Sequence, residues 1–274
     1  MFSCGHFQLD LFRPLVMGIV NVTPDSFSDG GLFVSRQAAI SHGLRLIEEG
    51  ADILDIGGES TRPGATPVPL QDELARVIPL IAQLAKQSSV PISIDTYKPQ
   101  VMQAAIAAGA SMVNDVRALQ EAGALEIVAA SNVGVCLMHM RGTPQTMQND
   151  PVYDDVVIEV ANFLAARAKI LLDAGVARER IVIDPGFGFG KRTAHNVALL
   201  RKLPRLCDLG YPVLAGLSRK SLLGQIAGGE VHDRLPASIA AAVIAAMKGA
   251  RILRVHDVKA TVEALKVLEV MEKL

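Results

Sequence analysis

The feature that most limits what this chain can become is an eightfold alternation of two textures. Short apolar runs occupy residues 15–20, 52–56, 91–94, 111–113, 135–138, 181–183, 212–217 and 251–255. They are nearly continuous rather than alternating, which is the pattern of strands buried on both faces. Longer stretches with helical spacing lie at 36–49, 70–87, 98–108, 121–130, 154–174, 195–203, 236–248 and 258–272. Glycines punctuate the helix-to-strand joints at Gly50, Gly109, Gly134, Gly175, Gly210 and Gly249, where a left-handed cap suits glycine. Strands alternating with helices imply a parallel sheet. Eight such units predict closure into a (β/α)8 TIM barrel, an α/β fold, rather than an open doubly wound sheet. We expect 1–274 to form a single barrel domain, with 1–14 as a short N-terminal extension that caps the closed end as a small hairpin.

Composition narrows the function classes. The chain has 274 residues, half of them apolar, which is enough for one barrel core. Its 27 basic and 28 acidic residues give a net charge of −1, so no nucleic-acid or membrane footprint is expected. The longest apolar run, 239–247, is too short to span a bilayer. Three widely spaced cysteines, Cys4, Cys136 and Cys207, indicate neither a disulfide framework nor a CxxC metal site. No secretory leader is evident, and a reducing, cytoplasmic setting is the natural expectation.

A polar residue ends or follows each apolar run: Asn21, Asp55, Asp95, Asn114, His139, Asp184, Ser218 and His256. They recur about every 34 residues, near the roughly 30 residues of a βαβ unit. In a barrel all of them would gather at one rim, where barrel enzymes build their sites.

Several of the connecting stretches carry further chemistry. Residues 17–31 (MGIVNVTPDSFSDGG) run from a strand into a loop too long for a plain turn. Residues 52–65 (DILDIGGESTRPGA) pair two glycines that allow close backbone approach with Thr61 and Arg62, which suit an anion. Asp95 and Asn114, at successive strand ends, could read the donor and acceptor edge of a heterocycle, or could cap turns. In 181–191 (IVIDPGFGFGK), Pro185 and Arg192 break the phosphate-loop pattern, so the glycines are expected to shape the turn after Asp184. Residues 216–221 (GLSRKS) set two cations and two hydroxyls at the start of a short helix, either an anion site or a solvated basic turn. Arg254 and His256 lie two apart on a strand and share a side. A buried Arg254 demands an anionic partner, from the protein or from a ligand.

Taken together, 17–31, 51–65, 184–191, 218–221 and 254–256, with CLMHMRGTP at 136–144, resemble the motifs of the dihydropteroate synthase family of pterin-binding enzymes. The resemblance runs from Leu15 to the C-terminus. It implies a transferase that joins (7,8-dihydropterin-6-yl)methyl diphosphate to 4-aminobenzoate with Mg²⁺, giving 7,8-dihydropteroate and diphosphate. It implies that Asp95, Asn114, Asp184 and Lys220 hold the pterin, that Asn21 contacts the metal, and that Thr61, Arg254 and His256 contact the diphosphate. Phe27, Arg62, Pro63, Ser218 and Ser221 would then lie near 4-aminobenzoate. Asp95, Lys220, Arg254 and His256 are the residues expected to act in catalysis, in a homodimer. Two readings compete: a pterin-dependent methyltransferase, which has no use for Arg62, Lys220, Arg254 and His256 as a diphosphate cradle, and a catalytically silent paralogue. A sugar-phosphate aldolase barrel is disfavoured, because Lys220 lies past a strand end.

Overall fold

Why the chain closes on itself is visible in its first eight runs. The structure, a computed structural model, describes residues 1–22 and 31–272. The eight runs form parallel strands β3 (Leu15–Asn21), β4 (Ile53–Gly57), β5 (Ile92–Asp95), β6 (Met112–Asp115), β7 (Gly134–Met138), β8 (Ile181–Asp184), β9 (Val213–Ala215) and β10 (Ala250–Val255). Each pairs with the next, and β10 pairs back onto β3, so the barrel is closed. The strands β1 (Phe2–Cys4) and β2 (Phe7–Leu9) precede them as an antiparallel hairpin.

The eight expected helices are present as α1 (Gly31–Glu48), α2 (Leu70–Leu84), α3 (Pro99–Ala107), α4 (Ala124–Ala129), α5 (Val156–Asp173), α6 (Thr193–Arg201), α9 (Leu235–Met247) and α10 (Val258–Glu272). Two short helices, α7 (Pro204–Cys207) and α8 (Ser221–Ala227), are additional. Among the described residues no helix is long and apolar enough to cross a membrane. Local rules set several boundaries. Asp155 caps α5, its carboxylate accepting from the Val157 and Ile158 amides at 2.8 and 3.2 Å. Gly50 and Gly109 leave their helices at φ +101° and +112°, a region closed to most side chains. The strand expected at 212–217 is shorter than its apolar run, because the chain turns out of the sheet after Ala215.

Gly134 has a different role from the one its position suggests. It is not a left-handed cap but the first residue of β7. A Cβ there would fall 2.6 Å from Phe2 Cζ and 2.8 Å from Cys4 Cβ, so the glycine lets the hairpin press against the strand. Phe2 and Cys4 are fully buried and pack with Leu15, Met17, Ile53, Met112, Cys136, Val182, Leu214 and Ile252. That cluster fills the lower barrel and forms a floor. Gly134→Ala must displace the hairpin, and we expect a loss of about 1–3 kcal/mol. The midpoint and slope of urea unfolding check it; an unchanged midpoint would mean that the hairpin does not bear on the strand.

Candidate functional site

The floor fixes what stands above it. Side chains two residues apart on a strand share a face. Two residues beyond Ile53, Met112, Val182 and Ile252 come Asp55, Asn114, Asp184 and Arg254; two beyond Ser93 comes Asp95. The barrel interior is therefore layered, apolar below and ionisable above. Asp55, Asp95, Asn114 and Asp184 are all at least nine-tenths buried.

Four of these residues bond to one another. Arg254 donates from Nε to Asp55 Oδ2 at 2.6 Å and from Nη2 to Asp95 Oδ2 at 2.7 Å. Asn114 Nδ2 donates to the same Asp55 oxygen at 3.1 Å. The second oxygens of Asp55 and Asp95 are buried without a hydrogen-bond partner. Buried acceptors left unpaired are costly, so this layer is built to receive donors. Burial pushes Asp95 up to about 7, against the pull of Arg254. Burial also raises Asp184, which Lys220 opposes.

Lys220 precedes α8. Its ammonium donates to the Phe187 carbonyl and lies 4.4 Å from the centre of the Phe189 ring. Burial lowers it to about 8, and Asp184 opposes that shift. Ser218 Oγ and His256 Nδ1 are 3.0 Å apart. Burial holds His256 down at about 4, so at neutral pH the ring can offer hydrogen bonds but no full charge. Asn21 ends β3 opposite Gly57, whose partner on the other side is Asp95. A Cβ on Gly57 would meet Asn21 Oδ1 and Asp95 Cβ at 3.6 Å each, so the glycine keeps the space between them open. Gly58, by contrast, is glycine because α2 crowds it, with Val77 Cγ1 2.6 Å from where a Cβ would stand.

The expected residues divide accordingly. Asp95, Asn114 and Arg254 are brought together in one network, with Asp184 and Lys220 electrostatically coupled beside it. Arg254 therefore has anionic protein partners, and it does not stand apart as a free cradle. Of the two cations in 216–221, only Lys220 belongs to the mouth; Arg219 forks onto Asp257 at 2.6 and 3.0 Å. Thr61 and Arg62 sit on the loop after β4, with Arg62 and Pro63 exposed. Phe27 lies outside the described residues.

Sequence reasoning underrated two residues. Asp55 is not at the end of its strand but within it, and one of its oxygens accepts from both Arg254 and Asn114. The two-residue spacing that paired Arg254 with His256 would also have linked Ile53 to Asp55. Lys191 is buried, bonding the carbonyls of His139, Gly186 and Phe189 and His139 Nδ1 within 3.2 Å. It shapes the loop that presents the Phe187 carbonyl to Lys220. Gly186 has no alternative there, since a Cβ would stand 2.0 Å from the His139 carbonyl oxygen. Asp115, beside Asn114 in sequence, caps a turn instead, accepting from the Arg117 and Leu119 amides at 2.8 Å.

A closed parallel barrel with an apolar floor and a carboxylate, carboxamide and guanidinium layer beneath its mouth is the frame of a barrel enzyme. Residues 17–256 match the family model described as pterin binding enzyme. Dihydropteroate synthase of Escherichia coli K12 is 51% identical over 262 residues, covering 96% of this chain and 93% of that protein. That of Neisseria meningitidis serogroup B is 50% identical, covering 99% and 97%. Among solved structures, Xanthomonas albilineans dihydropteroate synthase with 4-aminobenzoic acid is 58% identical at a TM-score of 0.92, covering 97% and 96%. The Yersinia pestis enzyme in a sulfonamide drug complex is 48% identical at 0.95, covering 100% and 99%. The chain belongs to the pterin-binding enzymes, and within them to the dihydropteroate synthase transferases.

Proposed function

We propose that the barrel mouth joins (7,8-dihydropterin-6-yl)methyl diphosphate to 4-aminobenzoate, releasing 7,8-dihydropteroate and diphosphate. The observation that carries this reading is the buried layer of Asp55, Asp95, Asn114 and Asp184 around the half-buried Arg254, with one oxygen each of Asp55 and Asp95 awaiting a donor. A pterin edge presents amino and ring N–H donors side by side. Asp184 can accept both, while Asp95 and Asn114 read the other edge and Lys220 helps to hold the ring. A heterocycle lacking those donors leaves buried acceptors unpaired and is rejected.

The bond that breaks joins the ring methylene to a diphosphate oxygen, and the diphosphate leaves with the electron pair. The bond that forms joins that methylene to the aminobenzoate nitrogen, which then loses a proton. An aromatic amine is already neutral at pH 7, so no strong base is required. Departure of the diphosphate is the demanding step. We assign Arg254, which keeps its bonds to Asp55 and Asp95, to meet its charge, with Thr61 and the His256 ring as hydrogen-bond donors. The electron-rich ring favours dissociative departure before the amine attacks. Phe27, Arg62, Pro63, Ser218 and Ser221 are assigned to the aminobenzoate side.

The donor set suits Mg²⁺. Asn21 offers a hard carbonyl oxygen beside the open space over Gly57, and among the described residues no cluster of three His, Cys, Asp or Glu forms a protein cage. Mg²⁺ commonly takes few protein ligands and completes its shell with phosphate oxygens and water. Bound there, it would neutralise charge on the diphosphate. We further assign the chain to the cytoplasm as a homodimer of one-domain barrels, a pairing supported by Val267, Val270 and Met271, which are 65%, 60% and 65% exposed along α10.

Purified protein given the pterin diphosphate and Mg²⁺ is expected to release diphosphate only when 4-aminobenzoate is added, with dihydropteroate as the product. Binding without turnover would favour the silent-paralogue reading. Sulfonamides, which imitate aminobenzoate, are expected to raise its KM and leave kcat unchanged in initial-rate measurements. Inhibition that aminobenzoate cannot overcome would remove Arg62, Pro63 and Ser221 from that subsite.

A further inference from the structure

The loop from β4 to α2 carries Thr61 and Arg62, and one ammonium ties its two ends. Lys98, just before α3, bonds Glu59 at the start of the loop and the Val68 carbonyl at its end, the latter at 2.8 Å. Glu59 Oε2 also accepts the Val68 amide at 3.1 Å, so the ends are joined to each other as well. The same ammonium reaches Glu73 of α2 at 2.5 Å, and Thr96 donates to the other Glu73 oxygen at 2.7 Å. Tyr97 donates to Glu59 Oε1 at 3.2 Å, under the Arg117 guanidinium 4.2 Å from its ring centre. The side chains of Glu73, Glu59 and Lys98 are 1%, 8% and 15% exposed.

Burying two carboxylates on one ammonium is an expensive way to seal a helix against a sheet. The Lys98–Glu73 pair alone would join α2 to the start of α3. Glu59 adds a second charge, and its bonds run to the loop itself. Between the tied ends the loop is held only lightly by the rest of the chain. Gly64 donates to the Pro144 carbonyl at 3.0 Å, and Gln145 donates to the Ala65 carbonyl at 2.9 Å. The Thr61 and Arg62 side chains make no hydrogen bond among the described residues.

We propose that Glu59 and Lys98 form a clasp that sets the height and direction of Thr61 and Arg62 over the barrel mouth. They are positioning residues for the aminobenzoate and diphosphate side of the reaction, and they take no part in holding the ring. This rests on the proposed function. Bonds to a charged group are directional and hold a loop end more exactly than apolar packing does, and small misplacements of a reacting partner are costly.

The test is Glu59→Ala, which leaves the Lys98–Glu73 pair in place, compared with Glu59→Gln, whose amide oxygen can still accept from Val68 and Lys98. In Glu59→Ala, kcat/KM for 4-aminobenzoate should fall about 100-fold, while calorimetry gives a pterin diphosphate Kd within about twofold of the parent. Glu59→Gln should recover most of the loss. Amide hydrogen exchange of residues 60–68 should accelerate in Glu59→Ala while the barrel strands stay protected. Pterin affinity falling in parallel with turnover, or unchanged aminobenzoate kinetics, would overturn the proposal. An inactive parent protein would overturn the functional reading instead. In that case exchange still decides the clasp: equal rates in parent and variant overturn it.

Discussion

Arg254→Met is expected to cost about 3–5 kcal/mol of stability and at least ~100-fold in turnover. The guanidinium holds Asp55 and Asp95 at 2.6 and 2.7 Å, and each of those carboxylates already has one buried oxygen without a partner. Methionine keeps the bulk and removes the only cation bonded to either among the described residues. The pH dependence gives the prediction its sign. Burial raises Asp95 to about 7 although Arg254 pulls it down. A carboxyl with a folded pKa above its unfolded one, about 4, binds its proton more tightly when folded. Its contribution to stability is full below the unfolded pKa and is lost as pH rises through the folded one. In the parent that window closes near 7; without the guanidinium it extends upward. Urea midpoints at about pH 5.5 and about pH 8 should therefore drop further in the variant than in the parent. Equal drops would show that Arg254 does not carry the carboxylates.

Asp184→Asn should separate binding from stability. Asp184 is 5% exposed, and its Oδ1 accepts the Gly186 amide at 2.7 Å. An asparagine oxygen can keep that bond. The other half of the side chain becomes a donor facing the donors of the proposed ring, so pterin affinity should fall by about 10³-fold or more. Stability should not fall with it, because burial raises Asp184 and its charge is unfavourable in the fold. Calorimetric titration with the pterin, beside a urea midpoint near neutral pH, gives both numbers. A variant that unfolds more easily yet binds as before would move Asp184 from recognition to scaffold.

Much of this was legible from residue order. Continuous apolar runs imply buried strands, and eight of them favour closure over an open sheet, so residue order alone brings Asp95, Asn114, Asp184 and Arg254 near one rim. Depth was harder to see. Asp55 reads as a strand end until the register shows Gly57, not Asp55, opposite Asp95. Gly134 reads as a helix cap because glycine satisfies both a left-handed turn and a close approach, and only Phe2, 132 residues away in sequence, tells them apart. The Glu59–Lys98–Glu73 cluster could not be found by spacing, since its members come from a loop, a strand-to-helix joint and a helix. Lys191 was hidden by its glycine-rich surroundings, which suggested a phosphate loop rather than a lysine wrapped in carbonyls.

The hairpin beneath the barrel turns the fold into a cup with one opening. Among the described residues Phe2 and Cys4 stop the lower end, so whatever reaches the charged layer comes and goes by the rim. A second entrance would need a hole in the floor, where those two side chains now sit.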